Sequence, residues 1–259
     1  MELAGAGVRN LHRRQTVPSL WPVTRSDTKK HSAFIRRLFG SIATRYDLLN
    51  RLISFGQDQA WRRYAVAQCR LSPGGRLLDV ATGTGDMALQ ALRHYPQVSV
   101  VGIDLTPGML QRAREKAAAA AGRRPFVLLR GDALELPFAD DRFDAVVSGF
   151  MMRNVADVAG ALAEQRRVVR PGGRVVCLEI TPPQRWPIRW FFWLYFYGLV
   201  PLLGGLLSGR PAAYAYLPRS VARFFTADEL QAVMEAAGLQ GVRYRLLALG
   251  TVAVHVGVK

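Results

Sequence analysis

The chain has 259 residues, of which 50% are hydrophobic and 21% charged, and its formal net charge is +16. That composition supports one large α/β core and excludes general disorder. The positive excess is almost all arginine; it reflects either GC-rich coding or an anionic partner, and without a basic run interleaved with aromatics nucleic acid is not expected.

Residues 1–28 carry Arg9, His12, Arg13, Arg14 and Arg25 but no apolar stretch. They read as a basic, disordered arm without a catalytic role, not as a secretory signal. One domain is expected over residues 29–259. Phe34 to Arg51 reads as a single helix from the spacing of Phe34, Leu38, Ile42 and Leu49. Gly56 breaks it, and Asp58 opens a second helix through Trp61, Tyr64 and Ala67 that stops at Pro73-Gly74-Gly75. Cys69 is predicted to be a buried thiol in a reducing cytoplasm, as is Cys177. The four histidines show no ligand spacing, so no metal site is expected.

Strands and helices then alternate. Strands are predicted from Arg76 to Ala81, Val98 to Asp104, Phe126 to Arg130, Phe143 to Ser148 and Arg174 to Ile180. Helices are predicted from Met87 to His94, Pro107 to Ala121 and Val158 to Arg170, the last ended by Pro171-Gly172-Gly173. Such crossovers give a mostly parallel sheet with ligands at the carboxyl ends of its strands. Thr226 and Glu229 form a capping box for a last helix. Two strands follow, Val242 to Leu249 and Thr251 to Val258, and runs that close pair antiparallel.

The main chemical signal is LLDVATGTGD, Leu77 to Asp86. Gly83 and Gly85 permit a tight turn and a close approach of backbone to ligand, at the start of a helix whose free N–H groups face the same point. Gly83-x-Gly85-x-x-Ala88 also satisfies a dinucleotide fingerprint, with Asp104 near the spacing of a ribose-binding acid. An NAD-dependent oxidoreductase therefore competes on these residues alone. Asp79 on the first strand is placed to accept from loop N–H groups or to face a cationic ligand. Asp132, ending the third strand, suits an adenine amine. Acids at successive strand ends, with an antiparallel end to the sheet, favour a methyltransferase.

Longer segments make the resemblance specific. FGSIATRYDLLNRLISFG at Phe39 to Gly56, LDVATGTGD, GIDLTPGML, GDALELPFADDRFD, Arg153-Asn154-Val155, RVVRPGGRVVCLE, AYAYLPRSV and the terminal VAVHVGVK resemble the quinone-biosynthesis C-methyltransferases over nearly the whole chain. That family methylates demethylmenaquinone and, in some bacteria, the ubiquinone precursor. The resemblance implies a class I, Rossmann-like methyltransferase fold with a seven-stranded, mostly parallel sheet and an antiparallel C-terminal strand. It implies S-adenosylmethionine as methyl donor, leaving as S-adenosylhomocysteine. It places Thr84, Asp104, Asp132 and Ala133 on the donor, Asp104 through the ribose hydroxyls, and Arg153 and Asn154 beside the quinol ring. The candidate donor-binding set is therefore Asp79, Gly83, Thr84, Gly85, Asp104, Leu105, Asp132, Ala133 and Gly149. The candidate catalytic residues are Arg153 and Asn154, and the candidate acceptor contacts are Tyr46, Met151, Tyr214 and Tyr216. The family usually reads Ser-Phe-Gly-Leu-Arg-Asn where this chain has Gly149-Phe150-Met151-Met152-Arg153-Asn154; Met151 is expected to narrow the ring pocket.

Arg153 stays protonated and is expected to stabilise a phenolate rather than act as a base; water or Asp157 would take the proton. Its alternative role is a structural ion pair. Trp190 to Leu207 carries no charge, but Pro201 and Gly204-Gly205 interrupt it, and a bilayer crossing would split the sheet. It is read as an apolar cap, about residues 182–222, that meets a membrane surface or receives a prenyl tail, flanked by Arg185, Arg189 and Arg210. The expected partners are a prenylated quinol and a membrane surface, with the protein cytoplasmic and peripherally attached. Demethylmenaquinol is the favoured acceptor, ahead of a benzoquinol or another phenol. A non-catalytic quinone carrier is the remaining alternative, and a homo-oligomer is left open.

Overall fold

The computed structural model describes residues 25–120, 126–202 and 211–259. Most of the arm expected over residues 1–28 lies outside the described residues. The described chain is helical from Arg25, so residues 25–28 belong to a helix and not to an irregular arm. The single helix expected over Phe34 to Arg51 is two, α1 (Arg25–Ile42) and α2 (Tyr46–Ile53). Apolar spacing continues across the turn between them because Ile42 and Leu49 share one small core with Leu38 and Tyr46. α3 (Asp58–Gln68) follows.

The sheet contains β1 (Arg76–Val80), β2 (Ser99–Asp104), β3 (Phe126–Arg130), β4 (Phe143–Gly149), β5 (Val169–Ile180), β6 (Gln240–Leu247) and β7 (Val252–Val258). Their order is β3-β2-β1-β4-β5-β7-β6. β7 runs antiparallel to both its neighbours, β5 and β6, and the other pairings are parallel. Strand order reverses between β1 and β4, so the loops after these two strands border one crevice. β1 reads as a continuous apolar run because helices cover both of its faces. α3 and α4 (Asp86–His94) pack Ala65, Val66, Met87 and Ala91 on one face. On the other, α6 (Val158–Val168) and α9 (Ala227–Ala236) contribute Leu162, Leu230 and Met234. α5 (Pro107–Ala119) lies between β2 and β3 in the chain.

β5 starts five residues before its predicted start at Arg174, because Val169 already pairs with Phe143. Gly173 makes this possible: a Cβ there would stand 2.7 Å from the Asp144 carbonyl. The α9 capping box is as expected, with Thr226 N–H donating to Glu229 Oε2 at 2.8 Å and Glu229 N–H to Thr226 Oγ1 at 3.3 Å. After β5 the apolar cap forms α7 (Ile188–Leu194), a π-helical turn at Tyr195–Leu199 and α8 (Pro211–Ala222). Among the described residues no helix is long and apolar enough to cross a membrane.

Candidate active site

The turn after β1 takes left-handed backbone at Ala81, Gly83 and Gly85, with φ of 55°, 58° and 84°. Asp79 holds it from beneath: its Oδ2 accepts from Thr82 Oγ1 at 2.7 Å and from Ala88 N–H at 3.0 Å. Its Oδ1 is buried with no partner among the described residues, and burial pushes the carboxyl up to about 7. The folded chain therefore keeps a proton that the unfolded chain releases above its ordinary pKa of 3.8. Stability from this group is complete in acid and is lost as pH rises towards neutrality. Asp79→Asn mimics the protonated acid, so the variant's melting temperature should gain on wild type steadily from pH 4 to pH 7, roughly the window of the shifted titration. Thermal denaturation across that range checks this, and a difference that does not change with pH refutes it.

Above the turn lies a cavity lined by Gly83, Asp104, Leu105, Asp132, Ala133, Gly149 and Met151, among others. Asp104 accepts from Gly83 N–H at 2.9 Å and from Thr106 N–H at 2.7 Å, which ties the ends of β1 and β2 together. Asp132 accepts from Leu134 N–H at 3.0 Å and from Ser32 Oγ at 3.2 Å. Ser32, Ile35 and Phe39 bring α1 across the cavity as one of its walls, a contribution the sequence reading did not foresee. Of the expected donor residues, Asp79, Thr84 and Gly85 build the loop and do not line this cavity. The Thr84 hydroxyl turns away and donates to Asp47 Oδ1 at 2.5 Å. Lys116 on α5 closes that cluster, reaching Asp47 at 2.8 Å and also Asp86. Among the described residues no three metal-ligating side chains converge.

Residues 150–154 form the turn after β4. Phe150 sits in left-handed backbone, φ 59°. Its ring carries the Arg62 guanidinium 5.2 Å and the Arg153 guanidinium 5.7 Å from its centroid. Arg153 is ion-paired: one Nη donates to Glu179 Oε2 at 2.7 Å, and both side chains are buried. The Arg153 Nε–H and the Asn154 Oδ1 are nevertheless buried without partners among the described residues. Asn154 Nδ2 donates to the Phe150 carbonyl at 2.9 Å, which fixes which amide atom is left open. Asp157, named as a possible proton acceptor, is exposed and caps α6, accepting from Gly160 N–H at 2.9 Å.

A second cavity of about 490 Å³ is lined by Tyr46, Trp61, Phe150, Arg153, Phe192, Tyr195 and Phe196, with further apolar groups and the polar Asn50, Ser54, Gln57 and Asp58. Tyr195 ties the cap to α2 by donating to the Ile53 carbonyl at 2.7 Å. Tyr46 and Phe150 belong to both cavities. A small recess lined by Tyr46, Arg153, Asn154 and Tyr216 lies beside them. Met151, expected at the ring pocket, is instead in the wall of the first cavity. The Tyr214 side chain lies outside the described part of the chain.

The model of the ubiE/COQ5 methyltransferase family matches residues 25–259. The chain belongs to that family. A demethylmenaquinone methyltransferase of Thermus thermophilus is 50% identical to it over 220 residues, covering 85% of this chain and 99% of the relative. A Desulfotalea psychrophila protein named ubiquinone/menaquinone biosynthesis C-methyltransferase UbiE is 43% identical, covering 87% of this chain and 90% of the relative. A crystal structure of an S-adenosylmethionine-dependent methyltransferase, possible histamine N-methyltransferase, from Thermotoga maritima aligns with a TM-score of 0.61 at 20% identity. That alignment covers 87% of this chain and 99% of the other, and it bears on the fold alone. The sheet is that of a class I methyltransferase, whose antiparallel β7 departs from the all-parallel dinucleotide fold the glycine fingerprint also allowed. In this ubiE/COQ5 member the residues that sequence reasoning missed are Ser32, Asp47, Lys116 and Glu179. Each acts through a contact distant in the chain; Asp47 and Glu179 lie inside the family-like segments, but nothing in those segments assigns either a role.

Proposed function

We propose that this protein catalyses S-adenosylmethionine-dependent C-methylation of a reduced, prenylated quinone precursor, with demethylmenaquinol as the acceptor. The observation that carries this reading is the open donor–acceptor pair, Arg153 Nε–H and Asn154 Oδ1, on two residues that line the small recess together, Arg153 also lining the aromatic cavity and Asn154 the first cavity. Unsatisfied buried polar groups are uncommon and mark a missing partner. A ring hydroxyl fits both, accepting from Arg153 and donating to Asn154. The names of the relatives support the naphthoquinol over other phenols.

The walls of the first cavity suit the donor's chemistry. Gly83 turns bare backbone to it, and Gly131 leaves room that a Cβ could not share, since that atom would stand 2.5 Å from Ile103 Cδ1. Asp104 and Asp132 each keep carboxylate lone pairs for hydroxyl and amine donors, beside the apolar walls of Ile103, Met109 and Leu134. When bound, S-adenosylmethionine supplies an electrophilic methyl group on a sulfonium. Arg153 stabilises negative charge on the ring oxygen, and that charge spreads to the adjacent carbon. Asn154 orients the oxygen. Phe150 and Tyr46, common to both cavities, set the approach of the two reactants. The aromatic lining keeps water from the ring and receives the isoprenoid tail, at about 0.8 kcal/mol per buried methylene.

The test is direct. The purified protein should bind S-adenosylhomocysteine and transfer a labelled methyl group to demethylmenaquinol, more slowly to a benzoquinol. Donor binding with no transfer to either quinol overturns the acceptor.

The same reading places the protein at a bilayer surface. Phe55 and Leu249 line the aromatic cavity yet are 75% and 80% exposed, forming an oily lip. Trp186, Trp190, Leu194 and Tyr197 of the cap are also exposed, with Arg185 and Arg189 beside them for anionic headgroups. Exchanging Trp190 and Leu194 together for glutamate should weaken sedimentation with anionic vesicles about tenfold or more. Neither residue lines a cavity described above, so turnover on detergent-dispersed acceptor should persist. Undiminished sedimentation refutes this docking face.

A further inference from the structure

We infer that Glu179 is the positioning residue for Arg153: it anchors one end of the guanidinium and thereby aims the remaining N–H groups at the acceptor. This rests on the acceptor reading above. Glu179 stands at the carboxyl end of β5, 1% exposed, in register with Ala253 of β7. Its two oxygens are divided between two tasks. Oε1 accepts from Met152 N–H at 2.6 Å and fixes the turn that carries residues 150–154. Oε2 takes one Nη of Arg153 at 2.7 Å.

A buried carboxylate is costly unless it is paired and hydrogen-bonded. Among the described residues Arg153 is the only cation bridged to Glu179, and burial holds that carboxyl above its ordinary value even with Arg153 beside it. A purely structural pair would satisfy the guanidinium as fully as the carboxylate. Here the arginine keeps an unpartnered, buried Nε–H and contributes to the walls of the aromatic cavity and of the small recess. Glu179 lines neither. The carboxylate therefore works from behind, through Arg153, while the ring of Phe150 limits the guanidinium from the side. An arginine so held meets the developing phenolate without first reorienting, which is where preorganised electrostatics act.

The test uses Glu179→Gln, which preserves shape and an oxygen for Met152 but removes the charge, and Glu179→Asp, which preserves the charge. For Glu179→Gln, kcat should fall about 100-fold, with S-adenosylhomocysteine affinity held within about twofold. Glu179→Asp should recover about a tenth or more of wild-type kcat, because the charge pair can re-form. The Arg153 Nε–H proton resonance, followed without any acceptor, should be sharp and protected in wild type and Glu179→Asp, and broadened in Glu179→Gln. Unchanged kcat in Glu179→Gln, an unchanged Arg153 resonance, or a parallel loss of donor binding overturns the inference. If wild type itself fails to methylate the quinol, the acceptor reading falls, and the resonance still decides whether Glu179 positions Arg153. If Glu179→Gln does not fold, Glu179→Asp decides it: its carboxylate is one methylene further back, so kcat between about a tenth and a half of wild type with S-adenosylhomocysteine affinity held within about twofold supports the inference, and wild-type kcat or a parallel loss of donor binding overturns it.

Discussion

Arg153→Ala lowers turnover about 10²–10³-fold while S-adenosylhomocysteine binds nearly as before. The residue lines the aromatic cavity and the small recess but not the cavity over the glycine turn. On the proposed function its loss would remove charge stabilisation at the acceptor and leave the donor contacts in place. The same exchange strands Glu179, buried and uncompensated, at a cost of about 3–5 kcal/mol. Assays must run well below a lowered melting temperature. Arg153→Lys separates the two effects. It keeps a cation for Glu179 and so restores most of the stability, but it lacks the planar fork that reaches Glu179 and the ring oxygen together. Its turnover should stay at least about tenfold below wild type. Steady-state kinetics beside thermal denaturation checks both variants, and wild-type kcat in Arg153→Ala would remove the residue from the mechanism.

Asp104→Asn weakens S-adenosylhomocysteine binding roughly 100-fold, with kcat at saturating donor changed far less. In the wild type both carboxylate oxygens accept main-chain N–H groups, from Gly83 and Thr106. An amide turns one acceptor into a donor, so one of these N–H groups faces another N–H. The turn after β1 then loses its tie to β2 at the point where it forms the cavity wall. The spare lone pairs available to ligand hydroxyls fall at the same time. Isothermal titration measures the change, and an affinity within about twofold of wild type would show that Asp104 is dispensable to the donor.

The sheet was legible because its signals are local. Buried runs such as Leu77–Val80 and Val175–Leu178, punctuated by glycine turns and capped helices, state strand and helix without reference to the rest of the chain. Boundaries moved where a contact overrode the local signal: Pro171-Gly172-Gly173 reads as a helix stop, yet Val169 finds Phe143 and the strand begins there. The first cavity was legible in part: Gly83, Asp104 and Asp132, picked out at successive strand ends, line it together. Its remaining wall was not. Ser32, Ile35 and Phe39 look like any amphipathic face, and spacing shows that a face is covered but not by what. Thr84 fits a ligand contact by sequence, yet Asp47 and Lys116 take its hydroxyl. Glu179, ending an apolar strand, has no sequence feature that distinguishes it from a solvated turn acid; only the burial of its partner Arg153 reveals it.

The partition formed by Tyr46 and Phe150, with Asn154 at its edge, offers no thiol, amine or carboxylate. On the proposed function a covalent relay through the protein has no station there, and initial-rate plots should intersect rather than run parallel. Chirally labelled carbon would then emerge with its hydrogens inverted, since a single hop across this thin wall reverses handedness and two hops would restore it.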